Sequence, residues 1–139
     1  MRFSVHQNSM EPMFRVGDRI LGHPLKYLGQ IKRGDIVIFR EPVSSPFKFK
    51  RVVGLPEEKL QITNGRIFVN NGALLRISEL KSDSSNFGPV MIPQNHFFLL
   101  GDNMRESQDS RDFGTVPFER IFYKALAVYW PIKQIKILI

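Results

Sequence analysis

A chain of 139 residues fits one domain, and its 42% apolar content is enough to bury a sizeable core. With no cysteine it can form neither a disulfide nor a thiolate metal site. The dispersed net charge of +7 suits anionic lipid and nucleic acid equally. No window reaches the roughly 18–20 apolar residues needed to cross a bilayer, and "MRFSVHQNS" lacks the apolar run of a secretory leader. The 12 phenylalanines, nine prolines and ten glycines favour many short strands over long helices.

In chain order, "MRFSV" predicts a short strand leading into a turn at Ser9, and Gly17–Asp18 predicts a second turn before a strand at Arg19–Leu21. "KRGDIVIFREP" (32–42) is the clearest strand: a Gly34–Asp35 turn, an apolar run from Ile36 to Phe39, and a stop at Pro42. "FKFKRVVGLP" (47–56) alternates and then becomes apolar. Residues 59–75 read as a meander, with hairpin signals at Asn64–Gly65 and Asn71–Gly72. Residues 76–90 are polar and irregular and predict a mobile surface loop. "HFFLL" (96–100) is a buried strand, 101–114 a glycine-bounded polar loop, and "PFERIF" a single helical turn. Strands broken by Pro131 close the chain. These signals predict one mainly β domain over 1–139: an antiparallel, folded-over or barrel-like sheet with little helix and a small β-hairpin insert at about 59–95.

The candidate chemistry begins with "QNSMEPMF" (7–14). A serine beside a turn is ordinarily a turn residue. His6 lies three residues away on the same segment, His23 precedes a proline, and His96 sits in an apolar strand that suits a packed, hydrogen-bonded histidine. None of them makes a convincing Ser–His pair. No metal-ligand spacing, Walker-type loop or dinucleotide-binding loop occurs, so neither a metal nor a cofactor is expected.

Lysine can replace histidine as the base, but only when neutral. With a pKa of about 10.4, roughly one lysine in 2,500 is neutral at pH 7, and burial must lower that value by several units. Lys50, between Phe49 and Val52–Val53, is the lysine placed for this; an edge or surface position is the ordinary alternative. In "GDNMRESQDSR" (101–111), Gly101 permits a tight backbone, Asp102 and Asn103 can form Asx turns, Asp109 and Arg111 can pair, and Ser107 can orient the lysine. A well-capped structural loop accounts for the same residues.

Four blocks in this order resemble the type I signal peptidases, the serine–lysine proteases that remove signal peptides. They are "NSMEPMFRVGDRIL" (8–21), "KRGDIVIFREP" (32–42), "KRVVGLPEEKLQI" (50–62) and "GDNMRESQDSRDFGTVP" (101–117). The resemblance implies Ser9 as nucleophile, Lys50 as general base and Ser107 as the hydroxyl that orients the base. It implies Asp109 and Arg111 as a brace, Arg51 and Asp102 as structural support, Met10 beside the substrate groove, and the Ser9 amide as an oxyanion donor.

Two positions depart from the family pattern. Met13 stands where threonine is usual. Gln7 stands where serine, threonine or glycine is common, so its amide is the candidate second oxyanion donor. The family's membrane-spanning helices precede the nucleophile, and only eight residues precede Ser9 here. The sequence therefore reads as the catalytic domain without that anchor, or as a short peripheral member.

The implied function is cleavage of preprotein signal peptides after small residues at −1 and −3. It would be carried out by a membrane-associated monomer on the extracytoplasmic face, without nucleic acid. Phe14, Phe47, Phe49 and the C-terminal "VYWPIKQIKILI" are the candidate lipid contacts, core strands being the alternative for that tail. Competing readings are a maturation or conjugation protease dedicated to one substrate, a self-cleaving repressor-type protease, an inactive relative, and a basic β-barrel that binds nucleic acid.

Overall fold

The computed structural model describes residues 1–70 and 72–138. The strands are β1 (Arg2–Ser4), β2 (Arg19–Pro24), β3 (Ile36–Phe39), β4 (Lys48–Gly54), β5 (Lys59–Thr63), β6 (Arg66–Val69), β7 (Ala73–Leu75), β8 (Phe87–Met91), β9 (His96–Leu100), β10 (Val116–Pro117), β11 (Ile121–Trp130) and β12 (Lys136–Ile137). The larger sheet runs β1-β2-β11-β3-β4-β9-β10, with β12 added on β11. Its named pairings are antiparallel, and it curls into a half-barrel, as the strand pattern predicts. A second sheet, β7-β6-β5-β8, is built from the 59–91 region.

Strand β3 holds its central place because all four of its residues are apolar and buried. Strand β4 runs between β3 and β9 and serves all three apolar clusters of the molecule. Phe49 packs with Met10, Phe14, Ile20 and Ile38. Val53 joins the cluster between the sheets, with Leu60, Ile62, Phe98, Leu100 and Met104. Val52 joins Val37, Phe39, Phe97 and Leu99. Each fully buried side chain of this kind contributes about 1.5–3 kcal/mol relative to exposure, so β4 is fixed from several directions before its two cations are considered.

The second sheet is a meander. Asn64 (φ 49°) and Gly65 (φ 75°) form the tight turn that an Asn-Gly pair favours between β5 and β6. Of the second hairpin signal, Asn71 lies outside the described residues.

The 76–90 segment departs from the expected mobile loop. Residues 87–91 form β8 against β5, although Gly88 and Pro89 mark the sequence as a loop. A position at the sheet edge explains why the proline is tolerated, since its missing N–H is not needed there. The polar 101–114 loop contains a 3-10 turn at Met104–Glu106 and a short helix, α1 (Ser110–Phe113), opened by the Asp109 carboxylate as N-cap. The helical turn expected in "PFERIF" is the 3-10 turn Phe118–Arg120. No helix among the described residues is long and apolar enough to cross a membrane.

Candidate active site

Three stretches distant in sequence build the site. The first is the turn that carries Ser9. It is closed by Glu11 N–H to the Asn8 carbonyl (3.1 Å) and Phe14 N–H to the Met10 carbonyl (3.0 Å). Its base is closed by Val5 N–H to the Asp18 carbonyl and Gly17 N–H to the Val5 carbonyl, both 2.9 Å. The second stretch, 101–103, clamps this turn. Asn103 N–H donates to the Ser9 carbonyl (2.9 Å), the Asn103 side chain to the Asn8 carbonyl (3.3 Å), and Asp102 N–H to Met10 Sδ (3.4 Å). Both Ser9 and Met10 are buried.

The third stretch is β4. Lys50 Nζ lies 2.6 Å from Ser9 Oγ, and the lysine is only 2% exposed. Burial lowers its pKa to about 8; attraction from Asp109 works against this, and repulsion from Lys48 and Arg111 adds to it. At pH 7 about one Lys50 in ten is therefore neutral, far more than for a free lysine.

The next residue on the strand has the opposite fate. Arg51 makes a two-pronged ion pair with Asp102, Nε to Oδ1 at 2.7 Å and Nη2 to Oδ2 at 2.6 Å, and Nη1 donates to the Gly34 carbonyl (2.7 Å). Desolvation raises the pKa of Asp102 against the pull of Arg51. This pair joins β4 to the 101–103 clamp.

Asp109 is the hub of the surrounding loop and has no exposed surface. Its carboxylate accepts from Gly101 N–H (3.1 Å), Ser107 Oγ–H (2.8 Å) and Arg111 Nε and Nη2 (both 2.9 Å). Ser107 thus gives its proton to Asp109, while the Lys50 amine donates to Ser9 Oγ. Gly101 is required by contact: a Cβ there would overlap the Ser107 hydroxyl and stand 2.7 Å from the Ser9 carbonyl.

Ser9 opens onto two hollows. One, of about 300 Å³, is mainly apolar and includes Val5, Met10, Pro46, Phe47 and Phe49 in its wall, with Gln7, Lys48 and Lys50. The other, of about 500 Å³, is lined by His6, Gln7, Asn8, Val16, Glu106 and Gln108. Gln7 borders both. Among the described residues the Ser9 N–H donates to no protein acceptor. No group of three or more His, Asp or Glu side chains among the described residues could hold a metal ion.

Not every residue singled out from the sequence lies where expected. Phe14 is fully buried and Phe49 is 9% exposed, both inside the cluster beneath the Ser9 turn, so neither can reach a lipid surface. His96 is half-buried at the start of β9, its Nδ1 2.8 Å from the Gln94 carbonyl. Two residues of the site carried no motif signal. Asp83 Oδ2 lies 2.8 Å from Arg111 Nη1, and Ser85 Oγ lies 3.2 Å from the same nitrogen.

The family model described as signal peptidase, peptidase S26, matches residues 1–130. The chain belongs to the signal peptidase family. It is a family of hydrolases. Among its relatives, a probable signal peptidase I-2 from Synechocystis is 30% identical over 96% of this chain and 65% of the relative. Signal peptidase I from Leptolyngbya laminosa is 31% identical over 94% of the chain and 69% of the relative. The chain thus spans about two thirds of the length of these curated relatives. A crystal structure of a signal peptidase I from Enterococcus faecalis has a TM-score of 0.58 and 26% identity, covering 66% of this chain and 92% of that one.

Proposed function

We propose that this signal peptidase family member is a Ser–Lys endopeptidase that removes signal peptides from preproteins after small residues at −1 and −3. The observation that carries the reading is the buried contact of 2.6 Å between Ser9 Oγ and a lysine amine with its pKa lowered to about 8. A buried lysine without a carboxylate in contact is a poor structural element and a good base.

In the proposed reaction neutral Lys50 takes the Ser9 hydroxyl proton as Oγ bonds to the scissile carbonyl carbon. The oxyanion is met by the Ser9 N–H and the Gln7 side-chain amide. The C–N bond breaks as the protonated Lys50 returns its proton to the leaving amine. Lys50 then removes a proton from water as the water attacks the acyl ester, and returns that proton to Ser9 Oγ as the ester C–O bond breaks. Asp109 and Arg111 brace the loop, Arg51 and Asp102 tie it to β4, and a lone pair of the Ser107 hydroxyl is left to accept from Lys50 Nζ.

The residues before the cut occupy the apolar hollow, where Met10 forms part of the wall. The residues after it occupy the polar hollow. The small sheet of the 59–95 region is an insert in a single domain that works as a monomer.

The bilayer surface is assigned to the C-terminal segment. Trp130, Ile132, Ile135 and Ile137 are 46–80% exposed. Arg19 stacks on Trp130 at 4.5 Å, and Lys136 Nζ donates to the Met13 carbonyl (2.6 Å), which places this segment beside the nucleophile turn. Such a surface would hold the protein at the extracytoplasmic face, where preproteins emerge.

The test is cleavage of a peptide carrying Ala-x-Ala before the cut, in lipid vesicles, by the parent, Ser9→Ala and Lys50→Met. Cleavage after the second alanine by the parent alone is expected, with activity rising on the alkaline side. A folded, inert parent would return Ser9 to the role of a turn serine.

A further inference from the structure

The seam between the two sheets carries an arrangement that the proposed reaction does not use. The connection between β7 and β8 of the small sheet lies along the 101–104 loop: Lys81 N–H donates to the Asp102 carbonyl (2.7 Å) and Met104 N–H to the Lys81 carbonyl (3.2 Å). Two residues on, Asp83 meets Arg111.

The guanidinium of Arg111 is saturated. Nε and Nη2 donate to Asp109 (both 2.9 Å), Nη2 also to the Met104 carbonyl (2.8 Å), and Nη1 to Asp83 (2.8 Å) and Ser85 Oγ (3.2 Å). A guanidinium has five N–H donors in a rigid fork, and here each has its own acceptor.

Asp83 is itself held from behind. Its Oδ1 accepts from the Ser85 amide (3.0 Å) and hydroxyl (2.6 Å). Gly65, at the tip of the β5–β6 hairpin, donates to the Ser85 carbonyl (2.8 Å) and accepts from Ser82 Oγ (3.0 Å). A Cβ on Gly65 would collide with the Asp83 carbonyl, so the hairpin tip and the Asp83 segment fit without slack.

We propose that Asp83 is a positioning residue for the Ser9–Lys50 dyad: the small sheet presents it to Arg111, which orients Asp109, which fixes Ser107 and the Gly101 amide beside Ser9. This inference rests on the dyad proposed above. Arg111 is only 10% exposed and lies between two carboxylates. Without Asp83 two of its donors lose an acceptor or weaken, and the fork can rotate off Asp109. Asp109 would then release the hydroxyl and amide that lie over the nucleophile turn. The second sheet therefore acts on catalysis without touching substrate.

The charged and titratable groups around Lys50 are Asp109 and Arg111 from the 101–113 loop, Lys48 on its own strand, and His6 across the shared hollow. Removing the Asp83 charge leaves the repulsion of Arg111 on the Lys50 ammonium less offset.

The experiment uses the full chain as the parent, Asp83→Asn, Asp83→Glu, Arg111→Gln and the Asp83→Asn/Arg111→Gln double variant. Expected for Asp83→Asn are a kcat about tenfold lower, a KM within about twofold, and an ascending pH limb moved to lower pH. Asp83→Glu restores both, and Asp83→Asn adds no loss in the Arg111→Gln background. An unmoved limb with unchanged kcat overturns the proposal. So does a loss that matches the unfolded fraction and recurs undiminished in the Arg111→Gln background.

NMR titration of the Lys50 Cε resonance reads the same acid-ward shift without substrate. If the parent fails to cleave, that failure belongs to the functional reading, and the titration still decides this one. Should Asp83→Asn not fold, Ser85→Ala removes a single hydroxyl from the same fork; unchanged kcat in that variant overturns the proposal, and a smaller loss at constant KM supports it.

Discussion

Lys50 and Arg51 are neighbours on one strand, both cationic in sequence and both buried, yet they meet opposite kinds of partner. Successive side chains leave a strand on opposite faces. Arg51 meets a carboxylate with matching two-pronged geometry and remains a charged structural cross-link. Lys50 meets a neutral hydroxyl, and burial then lowers its pKa to about 8. Burial is common to both, so the partner decides between an architectural cation and one that fits the base of the proposed reaction.

The comparison is sharpened first through catalysis. Lys50→Met removes the amine that lies 2.6 Å from Ser9 Oγ and is proposed to take its proton. Loss of one member of such a unit costs about 10³–10⁶-fold in kcat, which steady-state cleavage assays resolve, while circular dichroism of the variant stays native.

Arg51→Met should reverse the pattern. It strands the Asp102 carboxylate, which has no exposed surface. Breaking a buried pair by removing one partner costs about 3–5 kcal/mol, measurable as a fall in the denaturation midpoint. Equal stability losses in Lys50→Met and Arg51→Met would break the contrast.

A third expectation separates the two cations by pH. The Lys50 pKa falls from 10.5 in the unfolded chain to about 8 in the fold, so between these values the unfolded chain binds more protons. Stability therefore rises with pH through that window, by about 3 kcal/mol for this group, and below pH 8 the cost of burying the ammonium is fully present. Denaturant titrations at pH 7.5 and 10.5 should show this rise in the parent and its absence in Lys50→Met.

Gly101→Ala gives the smallest effect on the fold. The added methyl stands 2.7 Å from the Ser9 carbonyl and overlaps Ser107 as well, so both must shift. Overpacking of this kind costs about 1–3 kcal/mol, and a small misplacement of Ser9 lowers kcat by up to about 100-fold. A variant with parental kcat would show that the clamp tolerates slack.

Much of this was legible in the sequence, for identifiable reasons. The apolar run Ile36–Phe39 and the Asn64–Gly65 pair carry their structure locally, and Ser9 and Lys50 stand in recognisable blocks. Strand β8 was not legible, because Gly88 and Pro89 are loop signals until β5 pairs with them. Phe14 looks like a candidate lipid contact in sequence, and only the packing around Met10 and Phe49 shows it to be core. Asp83 was hidden for another reason: it sits in a polar run without a motif, and its meaning lies in a contact 28 residues away.

The distances along the chain have a temporal consequence. Ser9 and Lys50 are 41 residues apart, and the clamp from Asp102 to Met10 spans 92. Contacts of such separation form late, because loop closure must precede them. Until they form, Lys50 is wetted and protonated and Ser9 is an ordinary alcohol. On the Ser–Lys reading proposed above, a nascent or partly unfolded copy of this chain is therefore proteolytically silent, its chemistry withheld until the half-barrel has closed.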